Sequence, residues 1–152
     1  MQGEEMKYDD ASWHYGGDFP ENSPIEFGAT HIALIMKWCF QKGWAGVVHT
    51  EDESSNKDLQ KVISGECLAT EYFMYWCDGK LTDEDFTEEG NSFLHSYYGE
   101  KMGLYISDYV EYFGELMYMK GEDEHDYQKF SEVIEKRYQT FISKSKPWWK
   151  LW

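Results

Sequence analysis

The prolines of this chain are confined to its two ends. They occupy positions 20, 24 and 147, so residues 25–146 contain none. Because proline removes a backbone donor and breaks the interior of a helix, such a long proline-free stretch favours helices. No segment shows the sustained apolar–polar alternation that is typical of half-buried strands. The 152 residues fit one domain. The sequence therefore predicts an all-α, single-domain helical bundle of five to seven helices, and a small hairpin near residues 44–50 is the alternative for that segment.

Apolar residues that recur every three or four positions predict where the helices lie. The first helix is expected over residues 27–42, and apolar side chains on nearly all its sides indicate that it is the buried centre of the bundle. Shorter helices are predicted at about 57–64 and within 66–79. Another is expected from Thr82, its N-cap, to about Tyr98. Two more should flank the acidic residues 121–126.

The chain is strongly acidic. Its 29 aspartates and glutamates outnumber 14 lysines and arginines, which gives a formal net charge of −15. This charge repels phosphate-rich partners, so DNA, RNA and anionic membranes are poor candidates for direct ligands. It attracts a cationic partner and raises the rate of encounter with one. The alternative explanation is that the acidity only keeps the protein soluble.

Three cysteines, Cys39, Cys67 and Cys77, form no Cys-x-x-Cys pair. An odd number of cysteines without a secretory signal indicates free thiols in a reducing compartment. The longest apolar run, residues 32–36, is far too short to cross a bilayer. We therefore expect a cytoplasmic protein.

The sequence contains none of the short motifs that mark common active sites. Gly-x-Ser-x-Gly, the Walker loop and Gly-x-Gly-x-x-Gly are missing, and the five histidines lack the spacing of zinc sites. We expect no enzyme, no cofactor and no metal. The alternative is a metal-binding or hydrolytic enzyme that uses His14 and Asp18. His31 is a further candidate for that site, and is otherwise interpreted as a core histidine whose ring nitrogens have hydrogen-bond partners.

Acidic runs are the candidates for a binding surface. They occur at residues 82–89, 121–126 and 51–53, and the two longer runs do not match the ligand spacing of an EF-hand. They either form a solvated surface that caps helix N-termini or occupy a basic groove on another protein. The residues that we expect to contact such a partner are Asp83, Glu84, Asp85, Glu88, Glu89, Glu122, Asp123, Glu124 and Asp126.

Residues 144–152 form a tail rich in lysine and tryptophan. Exposed tryptophans are unusual and mark a contact. The tail either docks on its own bundle, with its lysines against the acidic surface, or binds a partner or a second copy of the chain. The sequence leaves the oligomeric state open.

The N-terminal residues 1–22 include the segment YDDASWHYGGDFP, residues 8–20, which combines aromatic rings, aspartates and a histidine. Gly16 and Gly17 permit a turn with positive φ, and the Asp18 side chain can hydrogen-bond the backbone of that turn. We expect an ordered aromatic plug in which Trp13, Tyr15 and Phe19 cover one end of the bundle.

The same segment resembles the N-terminal signature of a family of small acidic bacterial proteins, a domain of unknown function. The resemblance continues into GATHIALIMKW at 28–38, CDGKLTDEDFTEEGNSF at 77–93 and YYGEKMGLYISDYVEYF at 97–113, and covers most of residues 6–113. The family has no established catalytic residues. Its members are similar to immunity proteins that accompany polymorphic toxins, including those of contact-dependent growth inhibition.

The resemblance implies a cytosolic protein that binds one toxin domain tightly, and many such toxins are basic nucleases. The negative charge of the chain leads separately to a cationic partner. We therefore expect an immunity protein whose acidic surface neutralises a cognate basic nuclease by occupying positions meant for phosphates.

Overall fold

Helices dominate the fold, as the sequence predicts. The computed structural model describes residues 6–15, 19–99, 103–114, 117–118 and 121–145. The α-helices in these ranges are α1 Thr30–Gln41, α2 Val47–Thr50, α3 Glu53–Ser64, α4 Ala69–Trp76, α5 Glu88–Tyr97, α6 Gly103–Phe113 and α7 Glu124–Ser145. Three short 3-10 turns accompany them, at Ala11–His14, Ile25–Gly28 and Asp83–Asp85. None of the helices in the described ranges is both long and apolar enough to cross a lipid bilayer.

A small antiparallel sheet joins the N-terminal segment to the middle of the chain. Strand β1, Lys7–Asp10, pairs with β2, Lys80–Thr82, and Lys7 lies opposite Thr82. The sequence did not predict this sheet, because its strands are too short for a periodic pattern and lie far apart in the chain. The alternative hairpin at 44–50 is wrong: residues 47–50 form α2, and Ala45 makes only an isolated bridge to Phe86.

Helix α1 is the centre of the bundle, which confirms the prediction for this segment. All residues from Thr30 to Phe40 are buried, and the helix packs against α3, α4 and α7. Two of these buried residues, His31 and Lys37, have long polar side chains, and they are 0% and 1% exposed. Lys37 Nζ lies 2.5 Å from Glu124 Oε1 and 4.4 Å from the centre of the Tyr127 ring. The buried ammonium group is therefore paired.

Caps shift two helix starts away from their predicted positions. Helix α3 begins at Glu53, because the Asp52 carboxylate accepts hydrogen bonds from the backbone N–H groups of Ser54 and Ser55. Thr82 does form the predicted cap, but only for the 3-10 turn at 83–85. The chain then becomes extended, and Thr87 caps a separate helix, α5. The single helix predicted for residues 82–98 is therefore a turn followed by a helix.

In the described part of the N-terminal segment, Tyr8 rather than Trp13 is the buried anchor. Tyr8 is fully buried, whereas Trp13 is 54% exposed. The Tyr15 and Phe19 rings pack edge to face, and Phe19 stacks on Tyr118. Trp13 thus lies outside the predicted plug. Residues 16–18 and the tail from residue 146 onward lie outside the described residues, so the predicted Gly-Gly turn and tail docking stay predictions.

Candidate functional site

The acidic run at residues 82–89 is divided between structural and exposed positions. Asp85 is buried, and its Oδ1 lies 2.8 Å from His49 Nε2 while its Oδ2 accepts the backbone N–H of Thr82 at 2.8 Å. Asp83 accepts the Met6 backbone N–H at 3.2 Å. The exposed members are Glu84, Glu88 and Glu89. Two of the five acids predicted to contact a partner therefore bind the protein itself.

The run at residues 121–126 is divided in the same way. The Glu122 carboxylate accepts hydrogen bonds from the backbone N–H groups of Ala69 and Thr70 and from the Thr70 hydroxyl, at 2.8, 2.7 and 2.6 Å. It thereby caps α4, whose own N-cap residue, Leu68, provides no side-chain cap.

The remaining acids of this run lie at the start of α7, and one of them pairs with Lys37. The Asp123 carboxylate accepts the backbone N–H of Asp126 at 2.9 Å in the first turn of α7. Glu124 pairs with the buried Lys37, yet its side chain is 49% exposed. Asp126 is half-buried. The runs are therefore not one free acidic patch, although Asp123 and part of Glu124 still face solvent.

An open groove lies where α4 meets the 3-10 turn at 25–28 and the residues before α7. It has a volume of about 580 Å³, and its walls are mainly apolar. Three glutamates line it, and its lining contains no lysine or arginine among the described residues. We call it the acidic groove, and its principal residues are Glu26, Phe27, Thr30, Leu68, Glu71, Met74, Tyr75 and Glu122.

The acidic groove exposes large apolar side chains. Tyr75 is 77% exposed and Leu68 is 46% exposed. Glu26 and Glu71 are also exposed, whereas Thr30 is buried and its hydroxyl has no hydrogen-bond partner in the described part of the chain. Exposed apolar surface bordered by polar groups is typical of a contact site. The groove therefore offers apolar contacts and negative charge.

A buried cluster of charged and polar groups lies beneath the N-terminal segment. A register shift in β1 between Lys7 and Asp9 breaks the alternation of the strand, so that Tyr8, Asp9 and Asp10 are all buried. Asp9 Oδ1 lies 2.8 Å from His14 Nε2, and Asp9 Oδ2 lies 3.3 Å from His31 Nε2. The rings of His14 and His31 are 4.3 Å apart, centre to centre.

Hydroxyl groups complete this first cluster. The Tyr98 hydroxyl donates to Asp9 Oδ2, and the Tyr118 hydroxyl lies 2.6 Å from His14 Nδ1. Burial raises the pKa of Asp9, but His14 and His31 more than offset this, so the pKa lies below its ordinary range. Burial lowers the pKa of His31 despite the opposing effect of Asp9. Asp9 is thus a carboxylate and His31 a neutral imidazole near pH 7.

The first cluster is closed to a substrate. Asp9 and His31 are 0% exposed and His14 is 7% exposed. A general acid or base has to come within hydrogen-bond reach of the group that it protonates or deprotonates. The groups of this cluster therefore lie out of reach of a substrate at the surface. The predicted partner of His14, Asp18, lies outside the described residues, and the structure brings His14 to Asp9 instead.

A second buried cluster repeats the histidine–aspartate–tyrosine pattern. His49 Nε2 lies 2.8 Å from Asp85 Oδ1, and His49 Nδ1 lies 2.6 Å from the Tyr72 hydroxyl. Cys77 Sγ lies 4.0 Å from His49 Nε2 and 3.7 Å from Asp85 Oδ1. Burial, followed by the negative charge of Asp85, raises the pKa of Cys77 well above its ordinary value, so the thiol is a poor nucleophile.

A comparison with protein families matches residues 7–120 of the chain to one family. This range contains both buried histidine clusters, and it ends just before Glu122 and α7. Comparison with curated proteins and with solved structures finds no match. Because the match spans more than half of the chain, the protein belongs to the family described as Domain of unknown function (DUF7832).

Proposed function

We propose that this protein is a binding protein that neutralises a positively charged protein partner, and specifically an immunity protein for a basic nuclease toxin. The observation that carries the proposal is the acidic groove, which combines apolar walls with three glutamates and no cationic lining residue in the described ranges. This composition fits an apolar segment of a partner that carries lysine or arginine at its edge. The net charge of −15 adds long-range attraction for such a partner.

Tyr75 is the expected anchor of the interface. Its side chain is 77% exposed and contacts the neighbouring Trp76 ring edge to face, at 4.9 Å between ring centres. Tyrosine and tryptophan are enriched among the residues that contribute most to protein–protein affinity. Since Tyr75 is so exposed, its truncation should affect binding far more than folding.

The exposed acids of residues 82–89 provide a second contact area. Glu88 and Glu89 line a separate cavity of about 520 Å³ together with Tyr138, Phe141 and Ile142. Like the acidic groove, this cavity combines carboxylates with apolar side chains. Asp85 contributes only through the fold, because its carboxylate is buried against His49 and Thr82. Charge reversal at Glu88 and Glu89 therefore tests whether this run contacts the partner, whereas charge reversal at Asp85 does not.

The test uses the toxin domain encoded beside this gene, with its nuclease activity inactivated, and measures Kd by calorimetry at low and high salt. The double variant Glu26→Lys and Glu71→Lys should weaken binding about tenfold or more at low salt, because it reverses two charges at the edge of the groove. The salt dependence of binding should also decrease. Glu132→Lys, an exposed change on α7, is the matched control and should leave Kd within about twofold.

Two results would contradict different parts of the proposal. A double variant that binds with unchanged affinity and unchanged salt dependence would remove the acidic groove from the interface. The absence of a basic toxin domain in the neighbouring reading frames would contradict the immunity function itself. If only Glu88→Lys and Glu89→Lys weaken binding, the immunity function stands and the interface lies at residues 82–89.

Tyr75→Ala tests the apolar part of the interface. We expect Kd to rise about tenfold to a hundredfold while the free energy of unfolding changes by less than about 0.5 kcal/mol. Tyr112→Ala, which truncates a tyrosine that is 45% exposed on α6, is the control and should leave Kd unchanged. Equal binding by Tyr75→Ala and the unmodified protein would show that the partner does not use this groove.

A further inference from the structure

The first buried cluster has the donor set of a metal site. Asp9 in β1, His14 at the end of the 3-10 turn and His31 in α1 each offer one ligand atom, and these atoms lie within 4.8 Å of one another. Two imidazoles and one carboxylate are ligands for Zn²⁺, Fe²⁺ and Co²⁺.

Hydrogen bonding within the protein leaves His31 unsatisfied. Neither ring nitrogen of His31 has a hydrogen-bond partner among the described residues, although the residue is 0% exposed. Its Nε2 lies 3.3 Å from Asp9 Oδ2, but the two groups are not aligned as donor and acceptor. A buried polar group without a partner destabilises the folded state, so such groups are rare. A metal ion between Asp9 and His31 would use the Nε2 lone pair.

The groups around the cluster orient two of its three ligands, Asp9 and His14, as expected for a metal site. Histidines that bind metals usually donate their second ring N–H to an outer partner, which fixes the tautomer. The Tyr118 hydroxyl lies at this position, 2.6 Å from His14 Nδ1. The Asp10 backbone N–H donates to Asp9 Oδ1 at 2.8 Å, and the Tyr98 hydroxyl donates to Asp9 Oδ2. Asp9 and His14 are thus held in place from outside the cluster.

The distances agree with a small divalent ion. With Zn²⁺ bonds of about 2.0–2.2 Å, tetrahedral ligand atoms are about 3.3 Å apart. Asp9 Oδ1 lies 2.8 Å from His14 Nε2, about 0.5 Å closer than this value, and the other carboxylate oxygen, Asp9 Oδ2, lies 3.3 Å from His31 Nε2. Small side-chain movements therefore suffice to accommodate the ion, and three protein ligands leave one position for water.

We propose that Asp9, His14 and His31 bind one divalent transition-metal ion, which fixes the N-terminal strand and turn to α1. Three protein ligands and a water are also the ligand set of catalytic zinc sites, but Asp9 and His31 are 0% exposed and leave no route for a substrate, so the ion is structural. The second cluster differs, since both ring nitrogens of its His49 have hydrogen-bond partners. The third possible group, Asp123, His125 and Asp126, lies at the surface and supplies the control.

The experiment uses the full chain, without a histidine tag, unfolded with chelator and refolded with or without Zn²⁺. Bound zinc is then measured per folded chain, and its affinity is determined by competition with a chromophoric chelator. We expect one Zn²⁺ per chain for the unmodified protein and for His125→Ala. His31→Gln should lower the affinity about tenfold or more. Zn²⁺ should also raise the Tm of the unmodified protein more than that of His31→Gln at the same Zn²⁺ concentration.

A second variant and a second metal keep the test decisive. If His31→Gln does not fold, His14→Gln takes its place, with the same expected loss. Co²⁺ reports which type of residue binds, because a cobalt–thiolate band in the near ultraviolet would move the site to one of the three free cysteines and overturn the proposal. Folded protein with no stoichiometric Zn²⁺ would also overturn it, as would zinc that survives in both histidine variants.

Discussion

Glu122→Ala should destabilise the protein, although it changes a residue at the surface of the acidic groove. Glu122 accepts three hydrogen bonds at the N-terminus of α4, two from backbone N–H groups and one from the Thr70 hydroxyl. With alanine at this position these donors lose their partner, and Leu68 cannot replace it because its side chain makes no cap.

The magnitude follows from the geometry of the cap. Loss of a side-chain N-cap reduces the free energy of unfolding by about 0.5–2 kcal/mol, and hydrogen bonds to a charged acceptor are worth about 1.5–3 kcal/mol each. Glu122 is half-buried, so water recovers part of this loss. We therefore expect Glu122→Ala to lower the free energy of unfolding by about 2 kcal/mol. Glu122→Gln retains one acceptor oxygen and should lower it by about 1 kcal/mol.

Urea unfolding followed by circular dichroism measures these changes. In a chain of this size, a loss of about 2 kcal/mol corresponds to a decrease in Tm of roughly 4–8 °C. Glu132→Ala, on the exposed side of α7, is the matched control and should stay within about 0.5 kcal/mol. If Glu122→Ala were as stable as Glu132→Ala, the cap would contribute nothing and the interpretation of Glu122 as a structural residue would be wrong.

Two further predictions concern buried charge. Lys37→Met should change the free energy of unfolding by less than about 1 kcal/mol or raise it. Glu124→Ala should lower the free energy of unfolding by about 1–3 kcal/mol, because it leaves the buried Lys37 ammonium group without its carboxylate. Urea unfolding of both variants measures these changes, and equal losses would contradict the prediction. For Asp108, burial raises the pKa, but hydrogen bonds from Arg137 and Tyr97 outweigh burial and hold the pKa below its ordinary range. A folded-state pKa below the unfolded value stabilises the protein above the unfolded value, near pH 4, and this contribution is lost as pH falls through the lower folded pKa. Asp108→Asn should therefore show a smaller decrease in stability between pH 7 and pH 3 than the unmodified protein, and an equal decrease would refute the role of Asp108.

Local sequence patterns predicted the parts of the fold that depend on neighbouring residues. The buried character of α1 follows from apolar residues on all its sides, and the Thr82 cap follows from Asp85 three residues later, which the structure confirms as a capping box. The break before α5 was missed, because Thr87 is itself a cap and competes with continuation of the helix.

Contacts between distant residues could not be predicted from such patterns. Glu122 caps a helix that begins more than fifty residues earlier, and Lys7 pairs with Thr82 in the sheet. The cluster around Asp9 depends on a register shift in β1 that no short-range signal indicates. One signal was available: His31 lies in a helix surrounded by apolar residues, and a buried histidine requires a polar partner. That requirement identifies a missing partner for His31 but does not identify Asp9.

The three glutamates of the acidic groove differ in what they can contribute to binding, because Glu122 also caps α4. A carboxylate has about four acceptor positions on its two oxygens, and three of those on Glu122 already bind α4. Glu122 can accept one further hydrogen bond from a partner without releasing the helix, whereas Glu26 and Glu71 are exposed at the edge of the groove. Attraction for a cationic partner should therefore depend on Glu26 and Glu71. Glu122→Gln should lower the free energy of unfolding more than it weakens binding to the partner. Charge reversal at Glu26 and Glu71 should instead weaken binding more than it lowers the free energy of unfolding.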